Sequence, residues 1–229
     1  MGRRGLHPCG IRATAYGAVE VPEAPRGSGI HAPAVGKRIV IIQGHPDPDQ
    51  KRFCHALGWN YEEGAIEGGH EVRTIDVARL DFPLLRTQRD FESGKAPAVI
   101  REAQEDIRWA NHIVIIYPLW LGTLPALLKG FFEQTFRHGF ALQPTKTGGG
   151  MKRLLKGRSA RIIVTMGMPS TVYRVYFRAH GLKSLESSVL GMVGIRPIHA
   201  TLFGLIANRS DKYRARCLEE VRQLGIKAK

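Results

Sequence analysis

Five short apolar runs, each separated from the next by a segment of helical periodicity, constrain this chain more than any other feature it has. They are "KRIVIIQ" (37–43), "HEVRTIDV" (70–77), "HIVIIY" (112–117), "ARIIVTM" (160–166) and "RPIHATLF" (196–203). The third is a β-branched run without polar alternation, the pattern of a strand buried on both faces. Phe53, Leu57, Tyr61 and Ala65 recur every four residues as one helix face, and Gly68 and Gly69 end that helix. Val99, Ala103, Ile107 and Ala110 form a second face, and another helix around "KSLESSVLGMV" precedes the fifth strand. "SDKYRARCLEEVRQL" closes the chain as an amphipathic helix with Ser210 as its N-cap. Strand and helix alternating in this way specify an α/β domain, an open parallel sheet with helices on both faces. Ligands of such sheets sit beyond the carboxyl ends of the strands.

The length of 229 residues suits one good-sized domain. Residues 1–36 stand apart. Rich in Gly, Ala and Pro, with a period of neither 2 nor 3.6, they read as a flexible arm, and residues 37–229 as the folded domain. The arm has no apolar region of a secretory signal, while Arg3, Arg4 and Arg12, with no acid before Glu20, leave a transit peptide open. From Ile113 to Leu128 there is no charge, but Pro118, Gly122 and Pro125 interrupt the run, and a spanning helix needs about 20 apolar residues. No membrane span is expected. The stretch divides into a buried strand, the loop "PLWLGT" and a helix over "LPALLKGFFEQTF" that opens at Pro125. Cys9, Cys54 and Cys217 are odd in number and fit no metal-ligand spacing, which points to reduced thiols, a cytoplasmic location and no bound metal. Cys54 stands near a helix start but reads as a small buried apolar residue.

The formal net charge is +14, and the excess belongs to the domain, since the arm holds only Arg3, Arg4, Arg12 and Arg26 against Glu20 and Glu23. No Asp or Glu occurs between Gln134 and Leu185, where Lys146, Lys152, Arg153, Lys156 and Arg158 fall. Such a segment attracts polyanions, nucleotide phosphates among them, or is simply a solvated face. Its cations are not interleaved with aromatics in a nucleic-acid-reading pattern, so no nucleic-acid partner is expected.

Three loops follow the central strands: "GHPDPDQKRF", "PLWLGT" and "GMPSTVY". The chain has no GxGxxG after its first strand, no GxxxxGK[ST], no GxSxG and no HExxH, which removes the dinucleotide fingerprint, P-loop phosphoryl transfer and esterase chemistry. Tyr117 and Pro118 stand where a receiver domain has its phospho-accepting Asp. What remains is His45 before a helix start, which suits a phosphate, and Trp120 with Gly122, which suits a flat ring with polar edges. Thr165, Gly167 and Ser170 complete the third loop. Together these describe a flavin nucleotide, although singly His45 serves equally as a turn cap and Trp120 equally as core.

On these residues the sequence resembles the NAD(P)H:quinone oxidoreductases of flavodoxin-like fold, from about Lys37 to His180. The resemblance rests on "RIVIIQGHPDPDQKRFCHAL", on "IVIIYPLWLGTLPALLKGFFEQTFRHGFAL", the most specific stretch, and on "VTMGMPSTVYRVYFRAHG". It implies a five-stranded parallel sheet of order 2-1-3-4-5 and a bound flavin, FAD or FMN. His45 and Phe53 would lie by the flavin's phosphate and ribityl chain, and Pro118, Leu119, Trp120, Leu121 and Gly122 would flank its ring. Thr165 and Gly167 would complete the flavin loop, with Tyr173 and His180 as the catalytic pair beside the reactive ring. Met166 and Met168 replace members of the family's Thr-Thr-Gly-Gly run, and one extra residue separates Tyr173 from His180. The implied chemistry is hydride transfer from NADH or NADPH through flavin to a quinone, in a homodimer that shares its acceptor pocket. Two other readings stay open. An electron carrier of flavodoxin type keeps the flavin alone, although such carriers are usually acidic; a regulatory subunit would dock on a membrane transporter.

Overall fold

The computed structural model describes residues 36–145 and 149–229. Residues 1–35, which hold the expected arm and Cys9, lie outside the described residues, as does Lys146.

Five parallel strands, β1 (Arg38–Gln43), β2 (Glu71–Asp76), β3 (His112–Pro118), β6 (Ser159–Thr165) and β7 (Ile198–Phe203), form one sheet in the order β2-β1-β3-β6-β7. The expected order 2-1-3-4-5 is corrected by two further strands, β4 (Leu142–Pro144) and β5 (Met151–Arg153), which pair antiparallel as a separate hairpin. Each has three residues, too few for a periodic signal in the sequence.

Ile39 to Ile42 and Val114 to Tyr117 are completely buried because helices cover both faces of the sheet. Ile39, Ile41, Val114 and Ile116 pack with α1 (Phe53–Glu67) and α7 (Asp211–Ile226). Val40, Ile42, Ile113 and Ile115 pack with α3 (Ala98–Trp109) and α4 (Ala126–Thr135). Each such side chain stabilises the fold by roughly 1.5–3 kcal/mol relative to exposure. Two short helices, α2 (Gln88–Glu92) and α5 (Ser170–Val175), and then α6 (His180–Ser184), which runs on into a π-helix over Leu185–Gly191, complete the chain.

The core-facing stripe of α3 is Ile100, Ala103 and Ile107, continued by the buried Ala110 just after it, with Val99 half-buried against the same core, so the face expected from the sequence is buried and Ile100 widens it. On α4 the residues Leu128, Phe131 and Phe132 are buried in the core. Ser210 does cap α7, its hydroxyl accepting from the Tyr213 amide at 3.4 Å. Among the described residues, no helix is long and apolar enough to cross a membrane, and no group of three His, Cys, Asp or Glu is placed to hold a metal.

Candidate functional site

In this order successive strands are added on one side of β1 (β2) and then on the other (β3, β6, β7), and the loops that leave β1 and β3 at this switch point meet at the carboxyl edge of the sheet. They enclose a cavity of about 360 Å³. His45, Phe53, Pro118, Leu119, Trp120, Thr165 and Gly167, all picked out in the sequence, line it. Leu121, Gly122, Tyr173 and His180 do not.

The first loop is folded by its own polar groups. The Asp47 amide donates to His45 Nδ1 at 3.0 Å, and the Asp47 carboxylate accepts from the Asp49 amide at 2.9 Å and from Arg52 Nε at 2.7 Å. Those two donors lower the Asp47 pKa. Burial, and next the neighbouring His55, lowers that of His45. Since Nδ1 accepts, the proton of the neutral ring sits on Nε2, where it can be donated. No side chain caps α1 at Arg52, so first-turn amides remain for an outside acceptor at the positive end of the helix. A neutral imidazole N–H, a guanidinium and free amides make a cradle for an anion.

The second loop is a hairpin in miniature. Trp120 and Thr123 exchange two backbone hydrogen bonds of 3.0 Å, and between them Leu121 and Gly122 have φ of 47° and 80°. Two successive left-handed residues define a type I′ turn, which favours Asn or Gly; Leu at its first position is held against its preference. The Leu121 side chain is fully exposed, and Trp120 is 50% exposed, edge-on to His45 with ring centroids 6.3 Å apart. The Leu119 amide donates to the Thr165 carbonyl at 2.8 Å, tying this loop to the end of β6.

Beneath the third loop, Cys54 Sγ lies 3.2 Å from Thr165 Oγ1. Burial pushes the Cys54 thiol up to about 12, so it is a packing group and no nucleophile at neutral pH. Gly167 is exposed and faces open space.

Tyr173 is buried, and its hydroxyl donates to the Gly122 carbonyl at 3.2 Å while accepting the Leu182 amide at 3.1 Å. Burial raises its pKa. A Cβ on Gly181 would stand 2.2 Å from the same Gly122 oxygen, so α6 rests directly on the hairpin turn. Arg178 and Ala179, at φ of 51° and 49°, turn the chain into α6, whose first residue is the exposed His180. Tyr173 therefore supports the Trp120 hairpin, with His180 in the segment packed against it.

None of Lys152, Arg153, Lys156 and Arg158 lines the cavity. Arg158 donates to the carbonyls of Ile107 at 3.1 Å and Arg108 at 2.9 Å, at the end of α3 and the opposite edge of the sheet. The cation at the cavity is Arg52, which sequence reasoning passed over although it directly precedes Phe53. Ile206 and Ala207, in a single 3-10 turn after β7, were missed as well; an apolar pair in so short a turn carries no signal of its own.

A doubly wound α/β sheet with its site at the switch point, where an anion cradle adjoins an aromatic hairpin, is the architecture of a mononucleotide-binding protein. More narrowly, the chain belongs to the Flavodoxin_2 family, of flavodoxin-like fold, whose profile matches residues 37–224. Its relatives place it among the oxidoreductases. An uncharacterized NAD(P)H oxidoreductase of Haemophilus influenzae is 29% identical over 184 residues, covering 79% of this chain and 90% of its own. The mouse ribosyldihydronicotinamide dehydrogenase [quinone] is 26% identical, covering 60% of this chain and 67% of its own. In fold, the chain is similar to an NAD(P)H:quinone oxidoreductase of Methanothermobacter marburgensis, with a TM-score of 0.70, 23% identity and coverage of 85% and 96%. It is similar too to an FMN-dependent NADH-azoreductase of Bacillus anthracis in complex with FMN, with a TM-score of 0.66, 18% identity and coverage of 84% and 99%.

Proposed function

We propose that this oxidoreductase holds a flavin in the cavity at the carboxyl edge and passes hydride from NAD(P)H to quinone-type acceptors. The observation that carries the reading is the convergence of three loops on one cavity, lined by donors for a phosphate and by an exposed Trp. The names of the relatives support NAD(P)H as donor and a quinone as acceptor, and the FMN in the azoreductase structure supports FMN over FAD. When bound, the flavin supplies the hydride relay.

The chain's own residues have separate tasks in this reading. His45 Nε2, Arg52 and the first amides of α1 hold the phosphate, with Phe53 beside the ribityl chain. Pro118, Leu119 and Trp120 flank the ring, Leu121 and Gly122 form the turn that presents them, and Thr165 and Gly167 close the far side. Tyr173 keeps that hairpin in place, and His180 offers a donor to negative charge developing at the ring edge. Val172, Val175, Tyr176 and Phe177 expose an apolar surface on and just after α5, which supports a homodimer through this region.

Titration of the purified protein with FMN and FAD tests the proposal. Quenching of flavin fluorescence at one equivalent, followed by bleaching of the bound flavin on addition of NADH or NADPH, is expected. A colourless protein that quenches neither flavin overturns it.

A further inference from the structure

β7 is an edge strand: β6 pairs with one side of it, and among the described residues no strand pairs with the other. The Pro197 carbonyl accepts from the Ala160 amide and the Phe203 carbonyl from the Met166 amide, so the odd-numbered residues of β7 face β6. By the alternation of a parallel ladder, Ile198, Ala200 and Leu202 present their N–H and C=O groups outward. Open space borders that edge in two places. A groove of about 840 Å³ borders Pro197 and Ile198 at the strand's start. A second cavity, of about 270 Å³, touches Ala200, Thr201, Leu202 and Phe203. Since these four side chains alternate between the two faces of the sheet, this cavity lies along the edge itself. It is walled by Arg174 of α5 on one side and Tyr213 and Arg216 of α7 on the other.

The charge along this slot is mostly positive. Lys183 and Arg196 stand at one end, Arg174 and Arg216 at the other, against Glu186 and Glu220. All four cations are exposed. An unpaired edge recruits extended chains unless something discourages them, and basic side chains discourage a chain that carries the same ones. Two copies of this subunit joined edge to edge would set these cations against their equivalents. An extended segment bearing carboxylates meets the opposite situation, with backbone partners along roughly 20 Å of strand and cations at both ends.

We propose that the free edge of β7 is a docking slot for an extended acidic segment of a partner protein, which adds to the sheet as a sixth strand. The slot is separate from the cavity between the loops, so its occupation does not depend on the flavin.

A fluorescein-labelled octapeptide of alternating glutamate and valine, and its lysine counterpart, test this by fluorescence anisotropy on the full chain. Hydrogen exchange then reads the amides of Ala200 and Leu202. The glutamate peptide is expected to bind at least tenfold more tightly than the lysine peptide and to slow exchange at both amides by at least tenfold. Arg174→Glu with Arg216→Glu, both on helix surfaces, is expected to weaken binding at least tenfold while the protein still binds flavin. Leu202→Pro, which removes an outward N–H, provides a second variant with the same expected loss. Equal binding of the two peptides, binding that leaves both amides unprotected, or a β7 edge protected in the free protein by a second copy overturns the proposal.

Discussion

The hydroxyl of Tyr173 spans the gap between the Gly122 carbonyl, at 3.2 Å, and the Leu182 amide, at 3.1 Å, and so binds the hairpin turn of one loop to the helix that follows another. Both of its hydrogen-bonding directions are already used. That makes Tyr173 a positioning residue of the Trp120 hairpin. Tyr173→Phe would leave the Leu182 amide buried without a partner, at a cost of about 1–3 kcal/mol. A lower melting temperature and flavin affinity weakened roughly tenfold are expected, with no change in the pH dependence of the reduction rate. A pH profile that loses a limb in the variant would instead make the hydroxyl a proton donor. Gly181→Ala is an independent check, because its Cβ would press on the Gly122 oxygen from the other side.

Trp120 is half exposed and edge-on to His45, so its ring face is available to a ligand. Stacking beyond simple area burial contributes about 0.5–1.5 kcal/mol, and the buried ring area adds to it. Trp120→Ala is expected to raise the flavin dissociation constant by about an order of magnitude and leave the melting temperature of the flavin-free protein nearly unchanged. Unchanged affinity would mean that the ring stacks on something else, such as a neighbouring subunit.

The sheet was legible because β1 and β3 are buried on both faces, and such strands leave unbroken runs like "IVII" in the sequence. The loops of the site were legible for a related reason, since each one directly follows such a run. Other features depend on contacts between distant residues. Nothing about Leu121 announces a left-handed backbone; that conformation is imposed by the pairing of Trp120 with Thr123 and the support of Tyr173. The acid-free segment looked like one patch, yet Arg158 reaches the end of α3 while Arg174 walls the edge of β7. Neighbours in sequence spread across the fold once strands run through them. The π-helix over Leu185–Gly191 has no signature in "LESSVLG" that would distinguish it from an ordinary turn of α-helix.

His112 opens β3 at the edge away from the cavity, where its Nδ1 lies 2.7 Å from Ser159 Oγ and its Nε2 has no partner among the described residues. Burial first, and then the cations Lys37 and Arg161, lower its pKa to about 3. An unfolded histidine titrates near 6.5. Between these two values the unfolded chain binds a proton that the folded one refuses, so stability falls as the pH drops from about 6.5 towards 3, by up to about 1.4 kcal/mol per pH unit. Above 6.5 this group adds no pH dependence. In urea unfolding at pH 8 and pH 4.5, His112→Asn is expected to show a smaller difference between the two pH values than the unaltered protein. An equal difference would mean that the imidazole takes up its proton in the folded state.

His180 and the basic residues can be separated by salt. If long-range attraction by the cations of the acid-free segment delivered NAD(P)H, flavin reduction below saturation would slow steeply with ionic strength, because exposed charges are screened beyond about 10 Å at 0.1 M salt. Arg158, however, is held at the opposite edge of the sheet by the Ile107 and Arg108 carbonyls. Arg158→Gln is therefore expected to leave the salt slope as it is, whereas Arg52→Gln, at the cavity, is expected to flatten it. His180 acts at short range in the proposed reaction, as a donor to charge that develops on the ring. His180→Ala should lower the limiting reduction rate by about tenfold or more at every salt concentration and leave the slope alone. Stopped-flow bleaching of the bound flavin over a salt series, on the unaltered protein and the three variants, reads both effects. A slope that Arg158→Gln flattens would restore the segment as the steering element, and a limiting rate unaffected by His180→Ala would leave His180 only its place at the start of α6.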